Sequence, residues 1–72
     1  MIEMKTFWCE DVPQLDDIKH AYELVEQGYA VTIEWYVKWS GSYSRMVTKS
    51  SLEKYPTPEE YFEIVIPHIY GV

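Results

Sequence analysis

Residues 29–40 read YAVTIEWYVKWS, and this stretch decides the fold because its side chains alternate in character from end to end. The odd-numbered positions are all apolar: Tyr29, Val31, Ile33, Trp35, Val37 and Trp39. The even-numbered positions are mostly polar or small: Ala30, Thr32, Glu34, Tyr36, Lys38 and Ser40. A period of two is typical of a β-strand with one face on a core. We predict a strand over residues 29–40, with Trp35 and Trp39 facing the helices.

A turn and a returning strand are predicted to follow this strand, at residues 40–42 and 43–50. Ser-Gly-Ser supplies the turn, so the two strands form a hairpin. A three-residue loop places Trp39 opposite Tyr43 and Trp35 opposite Val47. A two-residue loop would place two like charges opposite each other, which is unfavourable. The three-residue loop is therefore the preferred register.

The segments on either side of the hairpin predict a further strand and two helices. Residues 4–9 form a short strand, and a helix follows between Pro13 and Gly28, where apolar residues recur at spacings of three and four. Thr57, Pro58 and Glu60 make a capping box that starts the second helix, with proline at the first helical position. Pro67 is expected to end or kink that helix, about one turn before Gly71.

Together these elements predict an α+β fold in one domain spanning residues 1–72. The order is β-α-β-β-α. A strand, a helix and a second strand in one sheet favour a parallel crossover, and the hairpin adds an antiparallel neighbour. We expect a small two-layer sandwich, with a three-stranded mixed sheet and two helices packed on one face.

Charge and composition limit the classes of function. Twelve acidic and six basic residues give a formal net charge of −6, which opposes direct binding to nucleic acid. The single cysteine, Cys9, cannot form an internal disulfide, which favours a reducing compartment. Neither a secretory leader nor a run of apolar residues long enough for a membrane span is recognisable. We expect a soluble, cytoplasmic protein that does not bind membranes.

The aromatic content of 17% predicts rings at the surface, because a core of this size cannot enclose three Trp, seven Tyr and two Phe. A twelve-residue strand would extend about 40 Å, whereas a fourteen-residue helix covers about 21 Å. If the hairpin projects beyond its helical cover, Trp39, Tyr43 and Tyr36 form an exposed tip suited to binding a protein partner. The alternative is that these tyrosines line the edge of the core with their hydroxyls in water.

A second candidate binding surface lies on the outer side of the first helix, where acidic residues cluster: Asp16, Asp17, Glu23 and Glu26. This surface suits a basic protein surface, including that of a nucleic-acid-binding protein. With the acidic start of the second helix it would also allow the protein to imitate nucleic acid. The alternative is that the charge only keeps the protein soluble and complements the helix dipole.

No catalytic, metal-binding or cofactor-binding site is predicted. Cys9, His20 and His68 are residue types of nucleophilic catalysis, but no local motif links them. Asp16, His20 and Glu23 share one helical face, without the further Cys or His cluster that a zinc site requires. The three glycines are isolated, so no phosphate-binding loop exists.

We therefore expect a small acidic protein-binding module without enzymatic activity or cofactor, acting by occlusion of a basic protein surface or as an adaptor. Small acidic domains of this size and charge occur among phage and mobile-element inhibitors, an analogy that rests on size and charge alone. The alternatives are a homodimeric structural protein, whose marginal core is completed by a second copy, and a nucleic-acid mimic.

Overall fold

Strand β2 (Ala30–Val37) lies at the centre of a three-stranded sheet whose order is β1-β2-β3. The computed structural model describes residues 2–69, with side chains through residue 67. The other elements in chain order are β1 (Met4–Cys9), α1 (Leu15–Glu26), β3 (Gly41–Val47), α2 (Lys49–Lys54) and α3 (Pro58–Ile69). The predicted α+β sandwich with a mixed sheet is confirmed, and one short helix, α2, is added to the predicted order.

The alternation along β2 places its odd-numbered side chains in the core. Val31, Ile33 and Trp35 are fully buried, whereas Glu34 and Tyr36 on the other side are exposed. β1 pairs with β2 in parallel, from Met4 opposite Ala30 to Cys9 opposite Trp35. The core lies between this side of the sheet and the helices, and its buried residues are Ile18, Ala21, Tyr22, Val25, Val31, Ile33, Trp35, Val47, Tyr61 and Ile66.

The hairpin register differs from the prediction by four residues. Trp35 lies opposite Tyr43, and Val31 lies opposite Val47. The loop has three residues as predicted, but it comprises residues 38–40 and starts two positions earlier. Val31 and Val47 are both fully buried, so this register places two β-branched residues together in the core. Because the shift is an even number of residues, the side chains that remain in β2 and β3 keep their predicted faces of the sheet. The prediction that Trp39 faces the helices was wrong, because β2 ends at Val37 and Trp39 lies in the loop, 92% exposed.

Helix α1 begins and ends where the sequence predicts. Gln14 is its N-cap, and the Gln14 backbone N–H donates to Asp17 Oδ2 at 2.8 Å, which forms a capping box. The chain leaves the helix through Gly28, whose φ of +107° favours glycine. Ile18, Ala21, Tyr22 and Val25 are the buried residues of this helix.

Helix α2 replaces the last part of the predicted returning strand and the predicted loop after it. Thr48 is its N-cap, and the Thr48 N–H donates to Ser51 Oγ at 3.2 Å. Six residues are too few to reveal a helical period, and serine replaces the Glu or Gln that marks most capping boxes. The prediction of strand at residues 48–50 was therefore wrong.

Helix α3 packs chiefly against α1, through a cluster of tyrosines. Thr57 Oγ1 accepts the Glu60 N–H at 3.3 Å, as the predicted capping box requires. The Tyr61 ring meets the Tyr22 ring edge to face at 6.1 Å, and the Tyr22 hydroxyl donates to the Tyr55 carbonyl at 2.6 Å. The helix continues past Pro67 to Ile69, whereas Gly71 lies outside the described residues.

Candidate functional site

One face of the sheet is not covered by helices, and we call it the open face. Pairing and alternation assign to it the even-numbered residues of the three strands: Met4, Thr6, Trp8, Ala30, Thr32, Glu34, Tyr36, Ser42, Ser44 and Met46. Four of them are large apolar or aromatic residues that remain about half exposed: Met4 at 58%, Trp8 at 57%, Met46 at 52% and Tyr36 at 49%. A sheet face that exposes four such side chains among polar ones is a candidate interaction surface.

Glu34 lies at the centre of the open face. Trp8 is its partner on β1 and Ser44 is its partner on β3, each one strand away, or about 4.8 Å. Tyr36 follows two positions further along β2 on the same face, about 7 Å from Glu34. The carboxylate therefore has an aromatic residue beside it across the sheet and another along the strand.

The hairpin loop holds Trp39 in an unfavourable conformation. Its φ is 75°, in the left-handed region, and its side chain is 92% exposed. The Ser40 N–H donates to the Val37 carbonyl at 3.0 Å, so Trp39 occupies the turn position that glycine normally takes. The Lys38 ammonium lies 5.4 Å from the indole centroid. Neither the backbone conformation nor the exposure of the ring favours folding.

The three aromatic residues predicted at the tip lie in different environments. Tyr36 is on the open face, and Trp39 is at the end of the hairpin. Tyr43 is on the opposite face, half-buried, with its ring stacked on Trp35 at 5.9 Å. Tyr36 and Trp39 are thus accessible to a partner, whereas the ring of Tyr43 is part of the packing under the helices.

The predicted acidic residues lie on α1, in the layer opposite the open face. Asp16, Glu23 and Glu26 are exposed, whereas Asp17 is half-buried and accepts the Gln14 N–H at the start of the helix. The predicted acidic surface and the open face are therefore on opposite sides of the protein.

Cys9 and His20 lie on neighbouring elements without forming a nucleophilic site. Burial, the nearby charge of Asp17 and a hydrogen bond to its carboxylate together raise the pKa of the Cys9 thiol from 9.0 to about 11, with burial as the largest cause. The His20 ring instead packs against Phe7, with centroids 5.6 Å apart. A thiol with this pKa is protonated at neutral pH and is a poor nucleophile.

Among the side chains that the structure describes, residues 2–67, no three His, Cys, Asp or Glu are grouped so that they could hold a metal ion, and the side chain of His68 lies outside that range. A shallow cavity of about 190 Å³ lies where β2 begins and β3 ends, lined by Ile2, Gly28, Tyr29, Ala30, Thr48, Lys49 and Ser50. Its volume is below the roughly 300 Å³ at which small-molecule sites begin.

Sequence reasoning did not identify Met4, Trp8, Glu34 or Met46 as surface residues with a role. The signal was present, because the alternation of β2 already assigned Glu34 to the face away from the helices. Extending that alternation to β1 and β3 requires the strand registers. Only the pairing of Trp8 with Glu34, and of Thr32 with Met46, places these residues on one surface.

In the region that the structure describes, no helix combines the length and apolar character that crossing a bilayer requires. No protein-family model, curated protein or solved structure matches the chain.

Proposed function

We propose that the protein is a small acidic protein-binding module that acts through its open face, as an inhibitor or adaptor that occludes a basic surface of its partner. The observation that carries this proposal is the exposure of Met4, Trp8, Tyr36 and Met46 on one uncovered face of the sheet. Aromatic residues and methionine are enriched in the central parts of protein interfaces, and truncating the aromatic ones often costs most of the binding energy.

The rest of the surface is consistent with a basic partner. The net charge of −6 accelerates encounter with a positively charged protein and slows encounter with nucleic acid. Trp39 extends the apolar surface at the end of the hairpin, where its 92% exposure leaves the indole available for a pocket in the partner. The module acts in the cytoplasm, in keeping with its single half-buried thiol.

The raised pKa of the Cys9 thiol, the candidate nucleophile, favours a noncatalytic role over an enzymatic one. The pKa of the Cys9 thiol is raised to about 11, so that thiol is not activated. The homodimeric alternative is less favourable, because stacking two open faces would bury two Glu34 carboxylates with no compensating cation.

Affinity capture from lysate of the native host, followed by reconstitution with the purified partner, tests the proposal. The wild type is compared with an open-face variant, Trp8→Ser with Tyr36→Ser, and with an acidic-helix variant, Glu23→Lys with Glu26→Lys. All three are first shown to be folded by circular dichroism. We expect the open-face variant to lose the partner and hydrogen exchange to slow in β1, β2 and β3 when the purified partner is added.

Three outcomes would contradict the proposal. Equal capture by the wild type and the open-face variant would exclude the open face. Loss of capture only in the acidic-helix variant would move the binding surface to α1. A dimeric mass of the free protein that becomes monomeric in the open-face variant would mean that the open face binds a second copy.

A further inference from the structure

The open face combines two aromatic rings with one carboxylate, and this combination selects a particular ligand chemistry. Trp8 lies beside Glu34 on the neighbouring strand, and Tyr36 lies two positions along the same strand. Both rings are about half exposed, at 57% and 49%, so their surfaces are accessible from solvent. The strand pairing thus places a negative charge and two π-systems at neighbouring positions of one surface.

The sheet supplies no cation to neutralise Glu34. Lys5 and Arg45, the basic residues of the three strands, occupy odd-numbered positions and therefore lie on the face that bears the helices. The Lys5 ammonium lies 4.8 Å from the centroid of the Tyr29 ring. The Lys38 ammonium, just beyond β2, lies over the Trp39 ring, 5.4 Å from its centroid. The strands therefore leave the Glu34 carboxylate available to a cation from another molecule.

A guanidinium group fits these three residues best. It is planar, it can donate two parallel hydrogen bonds to one carboxylate, and its faces stack on aromatic rings. The attraction of a cation to an indole or phenol ring strengthens as water is excluded from the contact. A lysine ammonium satisfies the charge but lacks the planar surface that stacks on both rings.

We infer that Trp8, Glu34 and Tyr36 bind an arginine side chain of the protein partner, while Met4 and Met46 contact apolar residues next to that arginine. This inference rests on the proposed function, because it names the group that the open face recognises. The same geometry disfavours phosphate, which Glu34 repels. A second copy is also a poor source of the guanidinium, since Arg45, the only arginine in the sequence, lies on the opposite face of the sheet, near Tyr61 of α3.

The test uses three synthetic five-residue peptides that differ at one position. The central residue, between two leucines, is arginine, lysine or citrulline, and citrulline has nearly the shape of arginine without its charge. Each peptide is titrated into isotopically labelled protein and followed by NMR. We expect the arginine peptide to shift the Trp8 indole N–H and the amides of Glu34 and Tyr36, and to bind at least about tenfold more tightly than the citrulline peptide.

Two variants identify the group responsible for the selectivity. Glu34→Gln keeps the size of the exposed side chain and removes its charge, so the preference for arginine over citrulline should fall to about twofold or less. Glu53→Gln, an exposed carboxylate on α2, is the matched control and should keep the wild-type preference. Trp8→Leu should weaken the arginine peptide more than the lysine peptide, because the stacking surface is lost.

Equal affinity for the arginine and citrulline peptides would overturn the inference, as would arginine-dependent shifts confined to α1. Failure of the inference is distinguishable from failure of the proposed function by capture of the partner with Glu34→Gln. If capture requires Trp8 and Tyr36 but is unchanged by Glu34→Gln, the open face binds a protein and the arginine assignment is wrong. If capture is indifferent to all three residues, both are wrong.

Discussion

The Trp35 indole lies nearly parallel to the Tyr43 phenol ring, with their centroids 5.9 Å apart and their planes inclined by 20°. Trp35 is fully buried and Tyr43 is half-buried, so the Tyr43 ring covers the outer end of the core. Tyr43→Ala should therefore lower the free energy of unfolding by about 2 kcal/mol. Urea denaturation followed by circular dichroism measures this loss.

The control for that variant is Tyr36→Ala, on the other face of the same hairpin. Tyr36 is 49% exposed on the open face, so its removal should change the free energy of unfolding by no more than about 0.5 kcal/mol. An equal loss of unfolding free energy in the two variants would contradict the assignment of Tyr43 to the packed face and Tyr36 to the open face.

Trp39→Gly should stabilise the protein, although it removes a large apolar side chain. The φ of 75° is unfavourable for tryptophan and acceptable for glycine, and the indole is 92% exposed, so few contacts are lost. Relief of this strain, less the entropy that glycine adds to the unfolded chain, should raise the free energy of unfolding by about 0.5–1 kcal/mol. Thermal denaturation measures the change.

Lys38→Gly is the matched control at the neighbouring loop position. Among the described residues, Trp39 is the only one other than glycine with a positive φ, so glycine relieves no strain at Lys38. It adds freedom to the unfolded chain and should lower stability slightly. A loss of stability in Trp39→Gly as large as that in Lys38→Gly would show that the loop conformation is not strained.

Tyr22→Phe should lower stability at neutral pH by about 1 kcal/mol, because it removes the hydrogen bond to the Tyr55 carbonyl. Burial, with the neighbouring Tyr61, raises the pKa of the Tyr22 hydroxyl from 10.0 to about 12. The unfolded chain therefore loses this proton first. The stabilisation that the protonated Tyr22 hydroxyl gives the folded state is fully present below pH 10 and disappears as the pH rises through about 12.

Unfolding by urea across this alkaline range tests the assignment. Wild-type stability should decline between pH 10 and about 12, and the decline should be shallower in Tyr22→Phe. It should not vanish, since burial also raises the pKa of Tyr61. Identical pH profiles for the two proteins would mean that the Tyr22 hydroxyl titrates as it does in the unfolded chain.

Cys9 should react slowly with iodoacetamide in the folded protein near neutral pH. A pKa raised from 9.0 to about 11 lowers the thiolate fraction about a hundredfold, and the greater nucleophilicity of a more basic thiolate offsets part of this. We expect about a tenfold lower rate than in concentrated urea, measured by mass spectrometry. An equal rate in the folded and unfolded protein would contradict the raised pKa.

The control experiment for Cys9 compares Asp17→Asn with Asp16→Asn. The two carboxylates are adjacent in the sequence, but only that of Asp17 lies against the thiol. Asp17→Asn removes the charge and the hydrogen bond that raise the pKa of Cys9, so alkylation should accelerate. Asp16→Asn should leave the rate unchanged. Both variants are compared under conditions where circular dichroism shows a folded protein, because Asp17 also caps α1.

The sequence was sufficient for the class of fold because its signals are local. The alternation from Val31 to Trp35 and the capping box at Thr57 each depend on residues within one element. The hairpin register was not predictable in this way, since the alternation continues through Trp39 although the strand ends at Val37. The observed register depends on the burial of Val31 against Val47, a contact between strands.

The surface was less predictable than the fold, for a related reason. The alternation placed Trp39 against the helices, and its exposure followed only if the hairpin projected beyond them. The separation of Tyr36 from Tyr43 depends on the face that each strand position occupies. Trp8 lies beside Glu34 only because β1 pairs in parallel with β2, and the whole of α1 separates these two strands in the sequence. A surface built from distant segments has no motif within any one of them.

That long connection between β1 and β2 has a consequence for the order of folding. Bringing Met4 beside Ala30 closes a much longer loop than forming the hairpin, so β1 should add to the sheet after β2 and β3 have paired. In this order Trp8 joins the open face after the hairpin has formed. A partner that requires Trp8 binds the completed protein and not its precursors, and its binding therefore draws a small, marginally stable chain toward the folded state.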